Sequence, residues 1–197
     1  MKKVSWWEII NSDLEFINLI WYWSLINSNT HKWKIKWLKP VLAKWFKRIY
    51  NLKVIPYDYT KEIVDYYKWY GKKYWVDSEE KIIELSKWKE CVLNCLYTWN
   101  SSDYINGLLL KIDKESFEEY SKREIQYSLY KAKYHILCPN SGDTSDESKE
   151  FWYILIADDS NIINDGIPFL PYHNNVISWA YDLWKSFWEI FEKTTKI

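Results

Sequence analysis

Few side chains in this chain have types and spacing suited to chemistry. His31, His135 and His173 lie far apart without ligand spacing, so at most one of them can meet any single site. Cys91, Cys95 and Cys138 are an odd number without zinc-site spacing, and reduced thiols in a cytoplasmic protein are the expectation. The sequence contains no glycine-rich phosphate loop, no G-x-S-x-G nucleophile turn and no H-E-x-x-H metal helix. Neither a metal nor a cofactor is called for. What remains is a loop at the end of a strand. The apolar run Phe16 to Ile20 leads through Trp21, Tyr22, Trp23, Ser24 and Leu25 into the turn formers Asn27, Ser28 and Asn29. Exposed backbone N–H groups in such a loop can hold an anion or a carbonyl oxygen, provided the residues let a ligand reach the main chain. Trp21 and Trp23 are the wrong residues for that task.

The elements that must position this loop follow from apolar periodicity. Residues 1–13 carry no assignable function. Between residues 30 and 48, seven basic side chains interleave with Trp33, Trp37 and Trp45. That alternation suits single-stranded nucleic acid or a membrane surface, but a solvated loop running into a strand is the better reading. Residues 57–90 read as a helical insertion, two short helices around Gly71. Cys91 to Thr98 and Tyr104 to Ile112 read as the two strands of a hairpin. Trp99, leading the polar turn between them, is unfavourable, because turns select residues that tolerate positive φ. Asp113 can cap a helix from Lys114 to about Arg123, with Phe117 and Tyr120 on its buried face. Glu124 follows at the end of that helix, immediately before an alternating strand from Ile125 to Leu137. Residues 138–150 form a polar, acidic loop expected to be mobile. Phe151 to Ala157 is a further strand. The chain closes in a helix whose stripe is Ile177, Tyr181, Trp184, Trp188 and Phe191.

Composition sets the outer bounds. The 197 residues suffice for one domain with a substantial core. Lys and Arg together number 27, as do Asp and Glu, so net charge points to no nucleic-acid or acidic-membrane partner. No run of about 18 apolar residues occurs and the N-terminus lacks signal-peptide order, which predicts a soluble cytoplasmic domain. Ile, Asn, Tyr and Lys abound, and Arg48 and Arg123 are the two arginines, a bias suited to an AT-rich genome. The odd feature is 15 tryptophans beside 4 glycines. Ordinary chains carry about 7% glycine, and the two counts taken together are enough to fill that allowance.

With glycine at positions 21 and 23 the opening stretch reads I-G-Y-G-S-L-I-N. It then resembles the Y-G-S-L loop of the gamma-glutamylcyclotransferase-like superfamily. Other segments agree. Residues 45–51, read as G-F-K-R-I-Y-N, resemble a G-F-x-R-x-(aromatic)-N strand of the family. V-L-N at 92–94 and I-N-G-L-L-L at 105–110 resemble its V-L-N and V-N-G-V-L-F strands. S-K-R-E-I-Q-Y at 121–127 resembles its R-R-E-x-x-Y segment, and residues 178–195 resemble its last helix, which ends in F-x-x-x-F-x-x-T-T. The pattern implies a gene from a lineage that reads UGA as glycine, rendered here as tryptophan.

The resemblance covers roughly residues 15–55, 91–137 and 151–195. It implies an α+β fold, with a mixed sheet of about six strands curled into a small barrel and helices packed outside. It gives Glu124 the role of catalytic acid/base, and Tyr22, Trp23, Ser24 and Leu25 that of substrate-binding loop. The implied reaction closes a γ-glutamyl group to 5-oxoproline and releases an amine or amino acid, without metal or cofactor. The implied partner is a small γ-glutamyl compound, acted on by a monomer or homodimer. Two other classes fit parts of the sequence. A non-catalytic scaffold would keep the fold but leave Glu124 without an adjacent cavity. A tryptophan-rich carbohydrate-binding module would array Trp21, Trp23 and Trp99 on one exposed face.

Overall fold

The computed structural model describes residues 1–22, 35–53, 78, 80, 89–124, 126–138 and 140–196. In chain order the elements are β1 (Lys3–Val4), α1 (Trp6–Ile10), β2 (Phe16–Trp21), β3 (Ile35–Lys44), β4 (Phe46–Lys53), β5 (Glu90–Tyr97) and β6 (Tyr104–Asp113). There follow α2 (Lys114–Arg123), β7 (Tyr127–Ala132), β8 (His135–Ile136), β9 (Trp152–Ala157), β10 (Ile167–Pro168), α3 (Leu170–Leu183), α4 (Lys185–Thr194) and β11 (Thr195–Lys196). The expected insertion at 57–90 lies almost wholly outside the described residues. The class is α+β, as expected.

The apolar run at 16–21 becomes a central strand because both of its neighbours cover it. Antiparallel β6 runs along one side, Phe16 opposite Asp113 through Trp21 opposite Leu108. Parallel β9 lies on the other, with Leu19 beside Tyr153. Those neighbours pair its edges, while α2 packs on one of its faces, with Tyr120 on Trp21; Ile17, Leu19, Ile20 and Trp21 are buried, the near-continuous apolar pattern of a strand covered on both faces. Gly107 permits the closest approach. A Cβ there would stand 2.5 Å from the Trp21 carbonyl oxygen, so only a residue without one fits.

The strands form two sheets, one of seven strands in the order β1-β7-β9-β2-β6-β3-β8 and one of four in the order β10-β5-β4-β11. Two expectations fail here for a common reason. β5 and β6 do not make a hairpin, because β5 pairs with β4 while β6 pairs with β3 and β2. Nor does the sheet close into a barrel: among the described residues its edge strands β1 and β8 have no pairing with each other. Both long strand pairs turn a corner together instead. The chain passes from β3 to β4 through Trp45 alone, at φ 75°, and from β5 to β6 through residues 98–103, where Trp99 has φ 58°. Trp45 N–H donates to the Asp103 carbonyl at 2.7 Å, Thr98 N–H donates to the Trp45 carbonyl at 2.8 Å, and Lys47 pairs with Asp103 at 3.1 Å. Trp45 and Trp99 are the only non-glycine residues with positive φ among those described.

Asp113 caps α2 as expected, its carboxylate accepting from Ser116 N–H at 2.9 Å. Phe117 and Tyr120 are buried by this helix, Phe117 against Trp6 and Tyr120 against both Trp6 and Trp21. The C-terminal helix differs from expectation. It breaks at Trp184, whose backbone is extended, into α3 and α4. Among the described side chains of α3 the buried ones are Val176 and Ala180 rather than Ile177 and Tyr181, and Tyr181 is exposed. With a break in the middle, one continuous stripe cannot hold phase; Phe187 and Phe191 restart it in α4.

Candidate active site

Tyr22 closes the end of β2 and is buried. Its hydroxyl donates to the Leu155 carbonyl of β9 at 2.6 Å. Burial pushes the phenol well above its ordinary pKa, and the nearby Cys95, Tyr127, Tyr172 and Tyr120 raise it further. Trp23, Ser24 and Leu25 lie outside the described residues.

Glu124 is placed by α2. The helix stops at this residue (φ −95°, ψ 38°), whose N–H still donates to the Tyr120 carbonyl at 3.1 Å, while its own carbonyl accepts from Tyr127 N–H at 3.0 Å. Glu124 is 7% exposed, so it does not face bulk solvent. Its chain neighbours connect it to the end of β2. Tyr120, one turn earlier, packs its ring 5.0 Å from that of Trp21. Tyr127, three residues later, donates its hydroxyl to the Leu93 carbonyl at 3.2 Å. Both tyrosines act electrostatically on Tyr22. The helix that ends in Glu124 thus packs on the end of β2 through Tyr120 and Trp21. A carboxyl held there can take or give a proton, provided its burial is matched by partners.

Sequence reasoning missed Arg48. It is wholly buried in β4, and all five of its N–H donors find acceptors. Nε donates to the Tyr22 carbonyl at 3.2 Å, Nη1 to the hydroxyls of Thr194 at 3.2 Å and Thr195 at 3.1 Å, and Nη2 to the carbonyl and side-chain oxygens of Asn106 at 2.5 and 3.1 Å. The Phe191 ring lies 4.1 Å from the guanidinium carbon. Burial lowers the pKa to about 10, which leaves the group charged at neutral pH. The signal was available: a rare arginine between the apolar residues of a strand. Sequence reasoning also gave no partner to His173, whose Nδ1 lies 2.6 Å from the Tyr50 hydroxyl. His135 is held elsewhere, by the Ser145 carbonyl.

Trp21 is 0% exposed and Trp99 74%. The aromatic face expected of a carbohydrate module, with Trp21 beside Trp99, is therefore not formed: the close packing of β2 under α2 takes Trp21 into the core. Among the described residues no helix is long and apolar enough to cross a membrane.

No family model matches the chain, and no curated protein matches it in sequence. Solved structures do match it in shape. A structure titled gamma-glutamyl cyclotransferase superposes with a TM-score of 0.54 at 11% identity, over 91% of this chain and 88% of that one. The fold is gamma-glutamylcyclotransferase-like. The uncharacterized protein loc79017 from Homo sapiens gives 0.57 at 11% identity, covering 92% and 89%. YkqA from Bacillus subtilis gives 0.56 at 12% identity, covering 94% of this chain and 55% of that one. At such identities the likeness concerns the cyclotransferase-like fold alone.

Proposed function

We propose that this protein is a gamma-glutamylcyclotransferase-like enzyme that converts a γ-glutamyl compound to 5-oxoproline and a free amine or amino acid. The observation that supports the reading is Glu124, buried at the end of α2, a helix whose Tyr120 packs on Trp21 of β2, in a fold of this type.

In the proposed reaction Glu124 accepts a proton from the substrate α-ammonium. The freed amine attacks the γ-carbonyl carbon of the same molecule and a five-membered ring forms. The bond from that carbon to the leaving nitrogen then breaks as that nitrogen takes a proton from Glu124; the ring nitrogen gives up its second proton through the same carboxylate to the departing amine, which leaves as an ammonium. The carboxylate is regenerated and no co-reactant is consumed. Because nucleophile and electrophile share one molecule, holding the folded conformer supplies several kcal/mol of barrier lowering, up to roughly 7–11. The backbone of Tyr22 to Leu25 holds the glutamyl group and stabilises charge on the γ-oxygen, and one such donor is worth roughly 3–4 kcal/mol.

The reading carries a proposal about decoding: UGA glycine codons stand behind the tryptophans of the loop and the corner. The backbone at Trp45 and Trp99 supports it, since both occupy the left-handed region that favours glycine. UGG codons at 21, 23, 45 and 99 would refute it. Activity is tested with protein carrying glycine at these four positions, offered γ-glutamyl amino acids, glutathione and γ-glutamyl amines. We expect 5-oxoproline release from at least one class, and its loss in Glu124→Gln with the circular dichroism spectrum unchanged. Turnover undiminished in that variant would exclude Glu124 as the acid/base.

A further inference from the structure

We propose that the N-terminal arm, residues 2–12, holds the turn that carries Glu124, and that Trp6 is the positioning residue through which it does so; the catalytic part of this inference rests on the cyclotransferase reading above. The sequence assigned this arm no function. In the fold it binds α2 and β7, the two elements between which Glu124 stands. β1 pairs antiparallel with β7, Lys3 opposite Tyr130 and Val4 opposite Leu129, and Lys131 N–H donates to the Lys2 carbonyl at 3.1 Å. At the other end of the arm, where α2 begins, Lys114 Nζ donates to the Ser12 carbonyl at 2.7 Å.

Between these anchors the arm changes direction. Ser5 caps α1 and closes a capping box, its hydroxyl accepting from Glu8 N–H at 3.1 Å and its own N–H donating to Glu8 Oε2 at 2.8 Å. The ladder between β1 and β7 therefore stops at Val4. Continued by two residues, its register would set Trp6 opposite Tyr127, and there the indole takes over the task of the backbone: Trp6 Nε1 donates to the Tyr127 carbonyl at 2.9 Å. The same ring packs on α2, its centroid 5.2 Å from that of Phe117 and 5.7 Å from that of Tyr120. Tyr120 and Tyr127 are the residues that bond the Glu124 backbone, through the Tyr120 carbonyl and the Tyr127 N–H. One side chain thus bears on both. Helix ends fray, and α2 ends at Glu124, so a fixed carboxyl there needs restraint from outside the helix. Phenylalanine at position 6 would keep a ring but no donor, and glycine would keep neither. Trp45 and Trp99 occupy backbone that favours glycine; the place of Trp6 instead requires an indole.

The test compares Trp6→Phe with Leu137→Ala, both in protein carrying glycine at 21, 23, 45 and 99. Leu137 is buried directly after β8, at the opposite edge of the seven-stranded sheet from β1, so its truncation lowers stability without touching the arm. In Trp6→Phe we expect kcat for 5-oxoproline release to fall about tenfold with KM within about threefold, short of the roughly 10²-fold that a misplacement of about 1 Å can cost. Exchange of the Tyr127 amide hydrogen should quicken about fivefold, as one neutral hydrogen bond beside it is lost. Leu137→Ala should show neither change at a comparable loss of melting temperature. Equal kcat and equal Tyr127 exchange in the two variants would overturn the proposal and leave Trp6 a packing residue. So would glycine at position 6 in protein purified from its own cells, read by mass spectrometry of the N-terminal peptide. If the protein with Trp6 intact released no 5-oxoproline, the cyclotransferase reading would fall, and the exchange comparison would decide by itself whether Trp6 holds the turn.

Discussion

The corner residues offer a test in which the sign of the effect, not only its size, is at stake. Trp45 at φ 75° and Trp99 at φ 58° occupy a conformation that costs an L-residue roughly 1–2 kcal/mol. Replacing each by alanine and by glycine removes the indole in both cases, so lost ring contacts cancel between the two variants. Those contacts are the Trp45–Tyr97 pair at 6.5 Å and the Tyr97–Trp99 pair at 4.7 Å. Alanine keeps the left-handed penalty; glycine escapes it but loses about 0.4–1 kcal/mol through its freer unfolded chain. Glycine should therefore be the more stable by about 1 kcal/mol at each site. At an ordinary strand position it would instead be the less stable by roughly 0.5–1 kcal/mol. Urea titration resolves this: with an m-value of about 1–3 kcal/mol/M, the glycine variants should denature at a midpoint higher by about 0.3–1 M. Because Trp45 and the Trp99 turn share the bonds through Asp103 and Thr98, the double replacement should be non-additive. An alanine variant as stable as its glycine counterpart at both positions would refute the argument and remove the structural support for glycine decoding.

Gly107→Ala would press a methyl against the Trp21 carbonyl and should cost about 1–3 kcal/mol, read as a lower denaturation midpoint at unchanged m-value. An unchanged midpoint would mean that β2 and β6 have slack. The second expectation concerns pH. Burial holds the His173 pKa below its ordinary value, so the folded state disfavours the protonated ring. Below about pH 6.5 the unfolded chain binds the proton first, so stability should fall with acidification until His173 titrates in the fold. His173→Gln should flatten that slope between pH 7.5 and 5, and a parallel slope in the variant would remove His173 as its source.

Local signals carried well where one element decided the outcome. Asp113 before Phe117 and Tyr120 was enough to place α2, and Glu124 at its end followed from the change to an alternating pattern. The run Phe16 to Ile20 was legible as a strand because it is enclosed on both sides. Pairing was not legible. A polar segment at 98–103 between two apolar strands looks like a hairpin turn, and nothing local announces that the partner of each strand lies across a corner at Trp45. The phase of the last helix was lost for a similar reason, since the break at Trp184 resets the periodicity that a single helix would keep. Arg48 was overlooked because its partners, Tyr22, Asn106, Thr194 and Thr195, come from three parts of the chain. A rare arginine among the apolar residues of a strand marks the position, but its role shows only once those parts meet.

The position of β2 also bears on how the chain assembles. This early strand finds its antiparallel partner about 90 residues later and its parallel one roughly 130 residues later. At roughly 5–20 residues per second of synthesis, β2 waits on the order of ten seconds before β9 exists. Throughout that interval Ile17, Leu19, Ile20 and Trp21 form an apolar segment whose native covering has yet to be made. Pairing at such separation also makes loop closure a large part of the folding barrier. A slower ribosome does not shorten the wait, so soluble yield should depend on what shields residues 16–21 while the rest of the sheet is being translated.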